Sequence, residues 1–330
     1  MTDPILEITD LAVGYDGHAV VRDFNLSVPA GAFVSLLGPS GCGKTTVLRT
    51  IAGFLPVMHG TLRLEGRDIT AQPPERRDVG IVFQNYALFP TMTAYENIAF
   101  GLRATGVRKA DIAASVARIA EAAGIADYLQ RMPANLSGGQ QQRVAIARSL
   151  VMGTRVLLFD EPLSNLDAKV RQSMRREIRR LQREIGFTAL FVTHDQEEAL
   201  SMSDRVVVLN AGRIEQADTP RGLYANPRTA FVASFIGSAN ELSAAAARAL
   251  AGVTKGRCFV KHEDLRLDPS GVAAVVTHTE FLGLMTRIDM AFDGTQISLL
   301  QTDPDVPEIG ATVHVALRPG ASHVFAEAGA

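Results

Sequence analysis

The segment GPSGCGKT at residues 38–45 constrains this sequence more than any other, because it fits the pattern G-x-x-x-x-G-K-[ST]. An apolar run typical of a buried strand, FVSLL, precedes it, and a helical run, KTTVLRTIAG, follows it. Glycines let the backbone turn tightly and point consecutive N–H groups at phosphate oxygens, and a helix N-terminus adds its positive dipole end. The flanking elements favour a nucleoside triphosphate site over an ordinary glycine-rich turn.

Two side chains of this segment carry specific chemistry. Lys44 supplies a positive charge for the β- and γ-phosphates, and the Thr45 hydroxyl is a hard oxygen ligand for Mg²⁺. The predicted phosphate-binding set is Gly38, Pro39, Ser40, Gly41, Cys42, Gly43, Lys44, Thr45 and Thr46.

Two adjacent carboxylates, Asp160 and Glu161, end the apolar run VLLF. A buried strand that finishes in acids places them at the carboxyl edge of a parallel sheet, where ligands of such sheets bind. We expect Asp160 to hold Mg²⁺ directly or through water, and Glu161 to polarise an attacking water. The structural alternative is a pair of carboxylates that cap the turn before Pro162.

A second anion site is predicted at LSGGQ, residues 136–140. Ser137 and Gln140 have the spacing of a capping box, and an apolar helical run follows them. Gly138 and Gly139 cost a helix about 1 kcal/mol each relative to alanine, so a close approach to the backbone is expected there. Bare N–H groups and a serine hydroxyl at a helix N-terminus can hold a phosphate.

The fold class follows from apolar strands at 156–159, 189–192 and 206–209, which lack polar alternation and are typical of a parallel sheet buried on both faces. A helical stripe at 168–185 separates the first two and implies an α/β fold. A composition break at 237–240 leads into an alanine-rich helix at 242–251 and short strands that suggest a small β-barrel or sandwich. We therefore place domains at 1–236 and 237–330.

Charge and composition exclude several classes of protein. The 33 basic and 35 acidic residues give a net charge of −2, which disfavours a nucleic-acid binder. The arginines of the 168–185 helix are more typical of a solvated face than of a basic patch. The first ten residues have no basic n-region, no apolar run reaches about 18 residues, and Cys42 and Cys258 form no disulfide or metal pattern, so we expect a cytoplasmic protein.

Taken together, the motifs at 38–45, 136–140 and 157–161 resemble those of the ATP-binding subunits of ABC transporters, from about Leu6 to Ile236. The resemblance implies a P-loop NTPase cassette with a parallel-sheet core, an antiparallel β subdomain and a helical subdomain. It also matches smaller markers: an adenine-stacking aromatic, a Q-loop glutamine, a D-loop and a switch histidine. These are Tyr15, Gln84, Ser164-Asn165-Leu166-Asp167 and His194.

In that family two ATP molecules lie between two head-to-tail subunits, which would explain two phosphate sites on one chain. By resemblance, Ser137 and Gly139 contact the γ-phosphate of the partner's ATP, and Asp167 lies across the interface. Glu161 is the general base or orients the water, and His194 contacts the γ-phosphate. Gln84 senses Mg²⁺ and the γ-phosphate and passes the change to residues 85–100, where the membrane subunits dock.

The last 90 or so residues resemble the appended TOBE/OB-like domain of importer ATPases, through FVKHEDLRL at 259–267 with His262 where proline is commoner. The resemblance implies an ATPase on the cytoplasmic face of the inner membrane that works with transmembrane permease subunits and, indirectly, a solute-binding protein. EPLSNLDA and FGLR favour the polyamine, ferric iron and phosphonate branch. The alternative is a soluble ATPase of the same superfamily with a non-transport role.

Overall fold

A computed structural model describes residues 4–164, 166–303 and 305–326. The chain forms two compact units, Met1–Arg221 and Gly222–Ala330. The helix Ala230–Phe235 packs against strands of the C-terminal unit, so the structural division lies before this helix, whereas the sequence places the boundary after it.

The first unit contains two sheets and a group of helices. Its strands are β1 (Pro4–Tyr15), β2 (His18–Pro29), β3 (Phe33–Leu37), β4 (His59–Leu64), β5 (Arg67–Asp68), β6 (Val79–Val82), β7 (Val156–Asp160), β8 (Thr188–Thr193), β9 (Arg205–Asn210) and β10 (Arg213–Asp218). Its helices are α1 (Lys44–Ile51), α2 (Ala94–Ala104), α3 (Lys109–Ala122), α4 (Gly138–Leu150), α5 (Ala168–Ile185) and α6 (Gln196–Met202), and α7 (Pro220–Ala225) crosses the division.

Among the described residues, the larger sheet has the order β10-β9-β3-β8-β7-β6 and is parallel except for β10. Every residue of β3 and β8 is buried, as expected for strands covered on both faces. A second, antiparallel sheet has the order β2-β1-β4-β5. One apolar core joins the larger sheet to the antiparallel sheet, and another joins it to α2, α3 and α4. The predicted α/β class is confirmed.

The second unit is mostly antiparallel sheet, as predicted. Its strands are β11 (Ala239–Leu242), β12 (Arg257–Lys261), β13 (Leu265–Phe281), β14 (Thr286–Phe292), β15 (Thr295–Gln301), β16 (Thr312–Leu317) and β17 (Ser322–Phe325), and its helices are α8 (Ala230–Phe235) and α9 (Ala244–Ala251). The strand orders are β11-β12-β17 and β15-β14-β13-β16, and residues of both sheets and of α9 share one core. In neither unit does a described helix combine the length and hydropathy needed to cross a bilayer.

Candidate active site

The register of the parallel sheet brings three predicted segments to one edge. Leu37 at the end of β3 pairs with Thr193 at the end of β8, and Asp160 at the end of β7 pairs with Val192. The phosphate-loop segment, the two carboxylates and His194 therefore all follow strands that end side by side at the carboxyl edge. This is the edge at which open α/β sheets bind ligands.

The phosphate-loop segment turns at Gly43, whose φ of 102° is left-handed. A Cβ atom at this position would lie 2.4 Å from Val21 Cγ2, so both the backbone angle and the space require glycine. Helix α1 begins at the next residue, and no side chain caps its first turn. Pro39, Ser40 and Gly41 are exposed, whereas Gly38, Cys42 and Thr46 are buried. The start of α1 thus offers backbone N–H groups to an anion.

Lys44 is 5% exposed, and its ammonium group lies back over the loop. Lys44 Nζ donates to the carbonyl oxygens of Gly38 and Pro39 at 2.8 and 2.9 Å. These bonds keep the charge at the loop rather than in solvent. A third bond runs from Lys44 Nζ to Cys42 Sγ at 3.8 Å. Thiol sulfur is a weak acceptor, so a phosphate oxygen can replace it as the partner of this donor.

Thr45 and Asp160 meet across the sheet edge, where Thr45 Oγ1 donates to Asp160 Oδ1 at 3.1 Å. Burial raises the pKa of the Asp160 carboxyl, and the hydrogen bond from Thr45 opposes this shift. The two side chains place hard oxygen atoms next to each other, which is the donor chemistry that Mg²⁺ prefers. A partly desolvated carboxylate beside a hydroxyl therefore fits a divalent cation.

Glu161 does not continue the strand but turns away from it with a φ of 46°. Its N–H donates to the Val192 carbonyl at 3.2 Å, and Ser164 Oγ donates to the Glu161 carbonyl at 2.9 Å. Glu161 Oε2 lies 3.2 Å from His194 Nδ1. The structure thus brings the predicted base and the predicted switch histidine into direct contact. The two backbone hydrogen bonds hold Glu161 in this position.

At the second predicted anion site, Ser137 forms the predicted capping box. Its Oγ accepts from Gln140 N at 3.4 Å, and Gln140 Oε1 accepts from Ser137 N at 2.9 Å. A Cβ on Gly139 would lie 2.8 Å from Met174 Sδ, whereas one on Gly138 would meet only Leu166 Cδ2 at 3.8 Å. Close packing against α5 therefore explains why position 139 is a glycine. At Gly138 there is free space, so a bound molecule can approach the backbone.

A concavity lies in front of Ser137, and among the described residues its walls include none from the phosphate-loop segment. Its lining comprises Gly124, Tyr128, Ser137, Gly138, Gly139, Gln140, Arg143, Val170, Ser173, Met174 and Glu177. Within one chain, the two predicted phosphate sites are thus separate places.

Three further predicted residues lie in a strand, a turn and a helix cap. Tyr15 ends β1 and is 45% exposed, and Gln84 is exposed in a turn two residues after β6. Asp167 caps α5, because its Oδ1 accepts from the backbone N–H groups of Lys169 and Val170. Asn165 of the predicted D-loop lies outside the described residues. Adenine stacking, magnesium sensing and the interface role stay predictions.

Sequence reasoning missed Arg148 near the end of α4. Its guanidinium donates to the carbonyls of Ala87 and Tyr86 at 2.7 and 3.0 Å and lies 5.7 Å from the centre of the Phe89 ring. Tyr86 and Ala87 both have left-handed backbones, with φ of 60° and 45°. Arg148 therefore ties the helix that Ser137 begins to the strained segment just after Gln84.

We expect Arg148→Met to lower both stability and ATP turnover. Two charge-assisted hydrogen bonds are lost, and one such bond contributes about 1.5–3 kcal/mol, so the free energy of unfolding should fall by at least this amount. Loss of the support for residues 86 and 87 displaces the neighbouring turn, which predicts a decrease of about tenfold or more in kcat. Denaturant titration and an ATPase assay measure the two effects. Arg103→Met, which removes an exposed guanidinium from a tyrosine ring, is the control.

Comparison with known proteins gives two family matches and several similar chains. A family model described as ABC transporter matches residues 21–164, and one described as TOBE domain matches residues 260–325. The ABC transporter ATP-binding protein y4fO of Sinorhizobium fredii is 60% identical over 329 residues, which are 99% of this chain and 97% of that protein.

Two relatives carry the names of import proteins. The spermidine/putrescine import ATP-binding protein PotA of Vibrio cholerae is 44% identical over 93% of this chain and 77% of its own length. The sn-glycerol-3-phosphate import ATP-binding protein UgpC of the same species is 51% identical over 71% of this chain and 63% of its own length. Among solved structures, cbiO1 of Clostridium perfringens, part of the ABC transporter complex cbiONQ, is similar with a TM-score of 0.63 and 29% identity, over 68% of this chain and 92% of that one.

Proposed function

This chain belongs to the family of ABC transporter ATP-binding proteins and is an ATPase, and we propose that it powers an importer as one half of an ATP-bound dimer. The observation that carries the proposal is the meeting of Lys44, the Thr45–Asp160 pair and the Glu161–His194 pair at one sheet edge. Phosphoryl transfer requires a positive charge near the phosphates, ligands for a metal ion and a general base held by a second group.

In the proposed reaction, a water oxygen attacks the γ-phosphorus of ATP and the bond from that phosphorus to the β-γ bridging oxygen breaks, which yields ADP and phosphate. Glu161 orients the water and accepts its proton. His194, 3.2 Å from Glu161, holds that carboxylate in place and reaches the γ-phosphate. Lys44 and the N–H groups at the start of α1 stabilise charge on the phosphate oxygens.

We propose Thr45, Asp160 and Gln84 as the residues that hold Mg²⁺. When bound, the ion neutralises charge on the transferring phosphoryl group. Among the described residues no group of three or more His, Cys, Asp and Glu side chains could bind a metal by itself. A site that combines one carboxylate, a hydroxyl and substrate phosphates is the usual arrangement for Mg²⁺, which keeps few protein ligands.

We expect Asp160→Asn to stabilise the protein and to inactivate it. Burial raises the pKa of Asp160, so the folded chain binds this proton more tightly than the unfolded chain, and stability falls as the pH rises through the unfolded and then the folded pKa. Asparagine removes that penalty, so Tm in EDTA at neutral pH should increase. The rate of Mg-ATP hydrolysis should fall on the order of 100-fold, because a carboxylate ligand for Mg²⁺ is lost. Asp127→Asn, at an exposed aspartate of a short 3₁₀ helix, should change neither.

The proposed dimer places the Ser137 concavity of one copy opposite the phosphate loop of the other. The separation of the two sites within one chain supports this arrangement, because neither alone surrounds a triphosphate. The capping box leaves the Gly138 backbone open, and the helix dipole favours an anion there.

We further propose that residues 85–100 dock transmembrane permease subunits at the cytoplasmic face of the membrane, with a solute-binding protein outside. Phe100 is 41% exposed, and its ring lies 4.5 Å from the Phe89 ring at a tilt of 41°, which gives this segment an apolar surface. For the solute we propose a polyamine, because the resemblance to a spermidine/putrescine import protein extends over 93% of the chain. A ferric iron or phosphonate solute has no support among the relatives described above.

Reconstitution tests this proposal. The protein and its membrane subunits, identified by affinity capture from detergent-solubilised membranes, are placed in vesicles with ATP on the cytoplasmic side. We expect ATP-dependent spermidine uptake that requires the solute-binding protein. Uptake of glycerol phosphate alone would change the solute, and ATP turnover with no membrane partner in the captured material would favour the soluble, non-transport alternative.

A further inference from the structure

A cleft of about 630 Å³ lies along α5, and its lining shares no residue with the candidate active site. This volume is within the range of about 300–1,000 Å³ that is typical of small-molecule sites. Its walls are formed by Gln172, Arg175, Arg176, Arg179, Arg180, Arg183, Glu184, Glu197, Ser201 and Met202.

The lining of the cleft is rich in arginine. Five of its lining residues are arginines and two are glutamates, so the formal charges sum to +3. Both glutamates are already paired, Glu197 with Arg175 at 2.8 Å and Glu184 with Arg180 at 2.6 Å. Two acids beside the lining pair with the same row, Asp204 with Arg179 and Glu177 with Arg180 at 2.6 Å. The positive charge that stays unpaired among the described residues is therefore that of Arg176 and Arg183.

Three arginines retain hydrogen-bonding capacity. Arg176 and Arg183 are exposed and form no ion pair with any residue that the structure describes. Arg175 is 7% exposed, and its Nη1 has no hydrogen-bond partner in the described chain. A buried guanidinium nitrogen without an acceptor is uncommon, because the lost hydrogen bond is costly. An anion at this wall would supply the acceptor after a small movement of the side chain.

The spacing of the arginines indicates the size of the ligand. They occupy positions i, i+1, i+4, i+5 and i+8 of one helix and so extend over about 12 Å of its axis. One phosphate reaches only part of this row, whereas two or more linked phosphates reach several guanidinium groups, which bind them bidentately. We propose that this cleft binds a small soluble anion that carries two or more phosphate groups.

The charge distribution favours a small molecule over nucleic acid. The whole chain has a net charge of −2, so the basic character is local and gives no long-range attraction to a polyanion. The proposal is independent of the transport function, because it uses no residue of the ATP site.

Calorimetric titration with inorganic tripolyphosphate tests the proposal. All proteins carry Lys44→Ala, which weakens binding of the probe at the phosphate loop. Arg176→Gln/Arg183→Gln removes the two unpaired charges of the cleft. Arg63→Gln/Arg118→Gln removes two exposed arginines elsewhere and is the matched control. We expect the cleft variant to bind at least tenfold more weakly than the control, with equal Tm values for the two.

Three results would overturn the proposal. These are equal affinity in the cleft variant and the control, no tripolyphosphate binding in either, and binding only to phosphatidylglycerol vesicles. The last result would assign the arginines to a lipid surface. The lysine variant Arg176→Lys/Arg183→Lys separates charge from geometry, and we expect it to bind between the other two, because lysine keeps the charge without the bidentate fork.

Discussion

Glu161→Gln should abolish ATP turnover while ATP binding remains. Loss of a general base costs on the order of 10²–10⁴-fold in rate, and the amide keeps the size and hydrogen-bonding ability of the side chain. The variant should therefore hold ATP between two copies and elute from gel filtration as a dimer in the presence of Mg-ATP. Single-turnover hydrolysis with radiolabelled ATP measures the rate.

The local structure makes this substitution a clean test. The backbone of Glu161 is fixed by its bond to Val192 and by the hydroxyl of Ser164, so an amide side chain occupies the same place. The only change at His194 is that its partner loses a negative charge. Glu121→Gln, an exposed residue of α3, is the control and should hydrolyse ATP normally. Normal turnover in Glu161→Gln, or a monomer in Mg-ATP, would contradict the assignment.

The site was predictable from sequence where local rules decide the structure. The phosphate loop, the capping box at Ser137 and the acids at the end of β7 each depend on residues within about ten positions of one another. Glycine angles, helix caps and apolar strands are short-range signals. The order of strands in the sheet then brings the ends of β3, β7 and β8 side by side, so the phosphate loop, the two carboxylates and His194 lie at one edge.

Such local rules do not predict contacts between residues that are far apart in the sequence. Arg148 reaches Tyr86 and Ala87 across 62 and 61 positions of sequence, and nothing in the local pattern marks two left-handed residues there. The strand β13 is also longer than the short strands that the sequence predicts, because Asp268-Pro269-Ser270-Gly271 has the composition of a turn. In the structure a register shift between Leu267 and Val272 absorbs these residues, and the strand continues on both sides of it.

The arrangement of the two phosphate sites in trans predicts a complementation result. Ser137→Arg and Lys44→Ala homodimers should both be inactive, because each damages both sites of its dimer. An equal mixture should form heterodimers in which one site is intact, with Lys44 from the first variant and Ser137 from the second. For two independent sites in a two-fold dimer, we expect about a quarter of wild-type turnover in the mixture.

One further variant and one further mixture distinguish complementation in trans from misfolding and from a recovery of activity that any mixture would show. Ser137→Asp keeps a side chain that caps α4 but places a negative charge where a phosphate would bind, so it should behave like Ser137→Arg without losing the cap. A mixture of Lys44→Ala with Glu161→Gln should recover nothing, because both residues serve the same nucleotide from the same chain. No recovery in the mixture of Ser137→Arg with Lys44→Ala would show that each chain completes its own site. Recovery in the mixture of Lys44→Ala with Glu161→Gln would instead show that Glu161 serves the partner's nucleotide.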